Sequence, residues 1–278
     1  VDGLVDRAGD ALELALWPLA LARHPRRILG LPGAALQSAR ALADSLRSAA
    51  PGTGLNEPIS PRRHLARAHR PLSDLRRIRG RFGATVNDVV LAASAGAVRR
   101  FLQARDETPV KLKAMVPVSV RADDGSDELG NRISFVFVDL PCDEPDPLRR
   151  LVDVKQEVGR RKRGGQPAGA DRALKAFGYA PRTIQHALSH LVASPRAFNL
   201  VVSNIPGPRE PLYMLGCELE EVYPVVPIAD HHALSIGMTT TNGEAFFGVY
   251  ADRDSLPDAD LLAQFLDQSI DELLALAH

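Results

Sequence analysis

Three observations predict an α/β fold. Segments of strand period alternate with helical segments from about residue 63 to residue 163. The run ISFVFVDL (133–140) is almost continuously apolar, as in a strand covered on both faces. The last third then turns into hairpins before a closing amphipathic helix. With 278 residues, 45% of them hydrophobic, the chain is long enough for one large domain or two small ones. A formal net charge of zero argues against nucleic acid as the main partner, since phosphate binding leaves a basic excess. Cys142 and Cys217 lie far apart without CxxC spacing, a usage that suits a reducing cytosol better than a disulfide framework.

In chain order, residues 3–23 and 33–49 read as two Ala- and Leu-rich helices separated by turn-like HPRR and GLPG. The pair carries Trp17 near its middle and is expected to pack on an upstream domain, with lipid contact as the alternative. No apolar run approaches the ~18 residues of a membrane span. The N-terminus lacks a signal peptide's basic-then-apolar order and an initiator Met, so the expectation is a start inside a longer precursor. Residues 50–61 are a linker by composition. A strand over 63–70 and a helix over Leu72–Phe82 follow. The Arg76, Arg77, Arg79 and Arg81 cluster reads as a solvated basic face rather than a coenzyme A phosphate site, because helical spacing scatters it around the cylinder.

The central element is Gly83–Leu102. Thr85 is placed to cap a helix whose first turn holds Asn87 and Asp88, and its small-residue middle (AASAGA) allows another element to approach closely. Further on, the pattern predicts strands at Lys111–Val120, ending at Arg121, and at Ile133–Leu140. A helix over 146–163 ends in basic Arg160–Arg163, which the helix dipole accounts for, and a second helical region covers 168–192. A short strand at Asn199–Val202 enters SNIPGP. Strands near 219–226, 233–240 and 244–250 follow, the last two joined at Asn242–Gly243, before a helix over Leu261–Leu276.

Few side chains suggest chemistry. There is no GxSxG elbow, P-loop or HExxH, and Asp230-His231-His232 has no third metal ligand at recognisable spacing. Ser203 and Ser235 lack a placed base. His231-His232-Ala-Leu-Ser-Ile-Gly237 is the one stretch to weigh, since imidazole titrates where a general base must.

Five stretches, NDVVLA (87–92), VPVSVR (116–121), GNRISFVFVDLP (130–141), SNIPGP (203–208) and GVYADRDSLPD (248–258), together resemble the bacterial wax ester synthase/diacylglycerol acyltransferases. They run in the expected order and cover that family's C-terminal half. The resemblance implies a chloramphenicol acetyltransferase-like, coenzyme A-dependent acyltransferase domain: a mixed sheet flanked by helices. It divides the chain into a helical interdomain segment and linker (1–55) and an acyltransferase-like domain (56–278). The implied reaction moves a fatty acyl group from acyl-CoA to a long-chain alcohol or diacylglycerol, in wax ester or triacylglycerol synthesis. The family's base is the second histidine of HHxxxDG. Here Ile236 stands where the aspartate belongs, and the pair falls in the part that aligns with the second domain.

The resemblance therefore implies no catalytic residue in this chain, with the base on an N-terminal half. His232 is expected to be a decoy at a strand end, facing solvent or the domain interface. Asn87 and Asp88 carry over as the motif pair shaping the active-site region, with capping and a buried hydrogen bond as the equal alternative. Ser119, Arg121 and Asn131 are expected along the groove between domains, Asp88 pairing with Arg121. Asn204 and Pro206–Pro208 are expected to form a rigid turn reaching the other domain. No permanently bound cofactor or metal is implied; acyl-CoA is a substrate. Implied partners are the N-terminal half, the lipid acceptor and a peripheral membrane or lipid-droplet surface, in a cytoplasmic protein. Two readings stay open: a non-catalytic lipid-binding or scaffold module, and a stand-alone acyltransferase with His232 as base.

Overall fold

A computed structural model describes residues 49–119, 133–163, 194, 196–208 and 210–278. The two expected N-terminal helices, Arg121, Asn131 and the expected 168–192 helix lie outside them. In chain order the elements are β1 (Arg63–Pro71), α1 (Leu72–Phe82), α2 (Val86–Ala104), β2 (Leu112–Ser119), β3 (Ile133–Leu140), α3 (Pro147–Arg163), β4 (Leu200–Ile205), β5 (Tyr213–Met214), β6 (Cys217–Glu218), β7 (Leu234–Thr241), β8 (Glu244–Asp252) and α4 (Ala259–Ala275).

Six strands form one mixed sheet in the order β1-β8-β7-β4-β2-β3; β5 and β6 form a separate hairpin. β7 and β4, and β4 and β2, run parallel, and the remaining neighbours are antiparallel. The Asn242–Gly243 turn joins β7 to β8, with both residues at positive φ, as a two-residue hairpin turn requires. Its Gly243 carbonyl also receives the Leu72 N–H at the start of α1.

Strand alternation sends Leu112, Ala114, Val116, Val136, Val138, Leu200, Val202, Leu234, Ile236, Phe247 and Val249 to one face, where α2, α3 and α4 pack. α2 is central and almost wholly buried. Its small-residue middle does what the sequence predicts: a Cβ on Gly96 would meet Ser269 Oγ of α4 at 2.7 Å and Arg150 Nη2 of α3 at 3.0 Å. Between residues 63 and 163, β1, α1, β2, β3 and α3 fall within a residue or two of their expected spans.

The opposite face carries a smaller cluster, Phe137, Ala197, Phe198 and Val201, with Met115, Phe135 and Val226 packed on it. The strand expected near 219–226 is absent. Residues 219–229 instead run over this face without strand pairing. Gly237 and Gly248 make room: a Cβ on Gly237 would meet Val226 and Pro224 at 2.9–3.0 Å, and one on Gly248 would collide with the Pro224 carbonyl. Ser235 Oγ donates to the Val226 carbonyl (2.6 Å), so the segment is tied by a side chain rather than by a ladder.

The compositional linker also behaves differently from its sequence. From Ala50 onward it is packed onto the domain: Leu55 is buried in the main core, Ala50 N–H donates to the Arg196 carbonyl (2.8 Å), and Ala233 N–H donates to the Leu55 carbonyl (2.9 Å). Asp252, at the end of β8, fastens the same side. Its carboxylate accepts from Ser60 N and Oγ (3.0 and 2.7 Å) and from Ser255 N and Oγ (2.9 and 2.8 Å). Burial alone would raise its pKa, but these hydrogen bonds outweigh burial and hold the carboxyl below its ordinary value.

Candidate functional site

His231-His232 does not open a strand, and while His231 is half-buried, His232 does not face solvent. β7 begins at Leu234, and the pair sits in the turn before it, His231 at φ 59. His232 is wholly buried (0% exposed), with its ring stacked on Phe198 at 3.8 Å between centroids. Nδ1 donates to the Asp230 carbonyl (2.7 Å), which fixes the tautomer, and Nε2 has no hydrogen-bond partner among the described residues. Burial lowers the imidazole pKa below its ordinary value; the carbonyls of Asp230 and Phe198 oppose that shift without reversing it. A general base must reach its proton at hydrogen-bond distance. A sealed, stacked ring cannot do so without the turn opening. Ile236, at the position of the missing aspartate, points into the main core at 1% exposure.

Around His232 lies a polar cluster that no sequence periodicity marks. Asn56 Nδ2 donates to the carbonyls of Phe198 and His231 (both 3.1 Å). Asn199 Nδ2 donates to Asn56 Oδ1 (2.6 Å) and to the Pro51 carbonyl (2.8 Å), while its Oδ1 accepts from Lys113 N–H (2.9 Å). Two asparagines thus clamp segment 50–57, the entrance to β4 and the turn before β7. The available signal was Asn199 itself, an amide between Phe198 and Leu200 in an otherwise apolar strand, where burial demands full pairing.

Asn87 and Asp88 start α2. Thr85 Oγ1 accepts from Asp88 N–H (3.1 Å) and Asp88 Oδ2 accepts from Thr85 N–H (2.8 Å), a reciprocal capping box. Asp88 is 3% exposed and its Oδ1 has no partner among the described residues, whereas Asn87 is half-buried. The capping part of the expectation is therefore present; the Asp88–Arg121 pairing falls outside the described residues. Ser119 is the last residue of β2, opposite Ile133. Asn204 lies near the end of β4 beside Met238, and Pro206 is exposed. Gly207 N–H donates to Thr240 Oγ1 (3.2 Å), anchoring the Pro-Gly-Pro turn against β7.

After that turn the chain projects as the β5–β6 hairpin. Tyr213, Met214 and Leu215 are exposed, Leu215 completely, and Leu215 and Gly216 turn at positive φ. Asn242 Nδ2 holds the hairpin's base through Glu218 Oε1 (3.1 Å) and the Leu219 carbonyl (3.0 Å). No cluster of three or more metal-ligating side chains occurs among the described residues. Both cysteines are free: Cys217 is exposed, and burial pushes the Cys142 thiol up to about 12.

Comparison with known proteins agrees with this geometry. The profile described as WS/DGAT C-terminal domain matches residues 129–274, and that of the wax ester synthase/diacylglycerol acyltransferase catalytic domain matches residues 14–90. The O-acyltransferase WSD of Acinetobacter baylyi is 37% identical over 80% of this chain and 48% of its own length. The probable diacylglycerol O-acyltransferase tgs1 of Mycobacterium tuberculosis is 34% identical over 81% of this chain and 50% of its own. Among solved structures, the wax ester synthase/diacylglycerol acyltransferase from Marinobacter aquaeolei VT8 superposes with a TM-score of 0.67 at 27% identity, covering 89% of this chain and 57% of that one. The chain spans about half the length of the curated relatives it matches.

Proposed function

Because the chain belongs to the wax ester synthase/diacylglycerol acyltransferase family, we propose that it forms the second half of an O-acyltransferase that moves a fatty acyl group from acyl-CoA to a long-chain alcohol or diacylglycerol. The observation that carries this reading is the match of residues 129–274 to the family's C-terminal domain. The acceptor hydroxyl loses its proton to a base and its oxygen attacks the thioester carbon. The C–S bond breaks, and the proton ends on the coenzyme A thiol. The sealed position of His232 supports a base outside this chain. What this chain supplies is a wall: a sheet whose helical face is closed, and a projecting apolar hairpin. Isolated two-stranded hairpins are marginal in water, so the exposed tip at Tyr213–Leu215 is assigned to contact with the upstream half.

The test is acyl-CoA-dependent release of thiol with palmitoyl-CoA and hexadecanol or diacylglycerol, on this chain alone and on the complete protein. Cys217 sets this chain's own thiol background, because Cys142 is buried. The expected result is silence from the chain alone and turnover from the complete protein. Turnover by the chain alone would return the base to this sequence; silence from both would move the reading to a lipid-binding or scaffold role.

A further inference from the structure

We propose that the exposed face of α1 is an electrostatic docking surface for an anionic lipid bilayer. This goes beyond the acyl-transfer reading and does not depend on it.

Leu75 and Ile78 bury one side of the 11-residue α1 in the core, and Arg76, Arg77, Arg79 and Arg81 are all exposed. At about 100° per residue these four positions spread over roughly 200° of the helix surface, the whole side turned from the core. Ser73, Gly80 and Leu72 share that side; the first two are exposed and small, and Leu72, at the helix start, is half-buried against the core. Asp74 is the helix's one carboxylate and is half-buried. The last-turn pair Arg79 and Arg81 suits the helix dipole; Arg76 and Arg77 lie mid-helix, where the dipole explains nothing.

The contrast with the other arginines is what singles out the patch. Arg62, Arg70, Arg100, Arg105, Arg150 and Arg161 each hold a carboxylate within ion-pair distance. None of the α1 four does so among the described residues. Arg77 Nη2 donates to His278 Nδ1 (2.6 Å), and Arg81 lies over the Phe82 ring. Exposed arginines without a carboxylate elsewhere, such as Arg149 and Arg253, stand singly on separate elements. Among the described residues, this helix face is left without carboxylate partners.

Shape selects the partner. A small phosphate ligand needs a concave site with converging donors, whereas a convex helix face with diverging guanidinium groups suits an extended anionic plane. The apolar β5–β6 hairpin is not part of this surface, since Glu210, Glu218, Glu220 and Glu221 surround it with charge that an anionic leaflet repels. No helix among the described residues is long and apolar enough to cross a membrane, so contact through α1 is peripheral contact.

The experiment is co-sedimentation of the complete protein with phosphatidylcholine vesicles and with vesicles containing about one-third phosphatidylglycerol. The expected result is binding to the second only, lost in roughly 0.5 M salt. Each arginine contributes about fivefold, so R76Q/R77Q/R79Q/R81Q is expected to weaken vesicle binding at least a hundredfold. A R149Q/R253Q control binds as the parent does, and the fourfold Lys variant retains most binding, because the surface reads charge. Turnover on detergent-dispersed acceptor stays unchanged, so loss of docking is distinct from loss of catalysis. Equal binding by the parent and the fourfold Gln variant, or no preference for phosphatidylglycerol, overturns the proposal. An unchanged vesicle affinity with a raised KM for acyl-CoA overturns it too, and assigns the arginines to the soluble substrate's phosphates.

Discussion

The two faces of the six-stranded sheet are built on different principles. On the helical face, Leu, Val, Ala and Phe side chains from all six strands meet α2, α3 and α4 in one continuous apolar core. On the other face an unpaired segment, residues 219–229, is held by two close backbone approaches at Gly237 and Gly248, one serine hydroxyl, and the Asn56–Asn199–His232 cluster beside it. The first face distributes its stability over many small contacts; the second concentrates it in a few points. Substitutions should therefore spread through the molecule from the helical face and remain local on the other.

The largest effect is expected at Gly96. Valine there forces a side chain into Ser269 and Arg150, and Arg150 is already committed to Glu272 and to the carbonyls of Glu144 and Pro145. Overpacking a closed three-helix contact costs about 3 kcal/mol. Urea unfolding of G96V should show that loss as an earlier, still cooperative transition. Gly248→Ala sharpens the comparison from the other side. Its methyl displaces Pro224, and the expected cost is about 1–2 kcal/mol, with faster amide exchange over residues 222–228 and unchanged protection in α2. If G248A exposes α2 as strongly as G96V does, the two faces form one cooperative unit and the distinction fails.

What the sequence disclosed follows the same division. The helical face was legible because periodicity encodes it: the i, i+3, i+4 pattern of α2, the alternation in β2, β7 and β8, and the Asn242–Gly243 turn are local signals. The other face was misread because its contacts are long-range. Residues 219–226 are rich in Val and Tyr like a strand, and nothing local tells that Gly237 and Gly248 have cleared a path for them over the sheet. APGTGLNEPISP looks like a linker because its Pro and Gly content is high, yet Leu55 and Asn56 find partners far along the chain, at Ala233, Phe198 and Asn199. At the candidate site, Thr85, Asn87 and Asp88 were readable as a helix start, since a capping box is a four-residue device. The burial of His232 was not, because a histidine pair beside a strand carries no local mark of what stacks on it.

His232 gives the smallest and most specific test. The ring is buried neutral with its pKa lowered, while in the unfolded chain it titrates near its ordinary ~6.5. Above that value both states are neutral and the residue contributes no pH dependence. As pH falls below ~6.5 the unfolded state takes up a proton that the folded state refuses. Stability then drops by at most about 1.4 kcal/mol per pH unit until the folded pKa is reached. His232→Phe keeps a ring against Phe198 and removes the titrating group. At pH 8 the variant should be weaker by about 1 kcal/mol, the usual worth of the lost hydrogen bond to the Asp230 carbonyl. Between pH 6.5 and 5.5 the gap to the parent should narrow or close, read from urea midpoints at each pH. The same variant in the complete protein should turn over acyl-CoA at the parent's rate. A constant gap across this range would mean that the folded ring protonates as readily as the unfolded one, and the turn before β7 would then have to be open enough to admit water to Nε2.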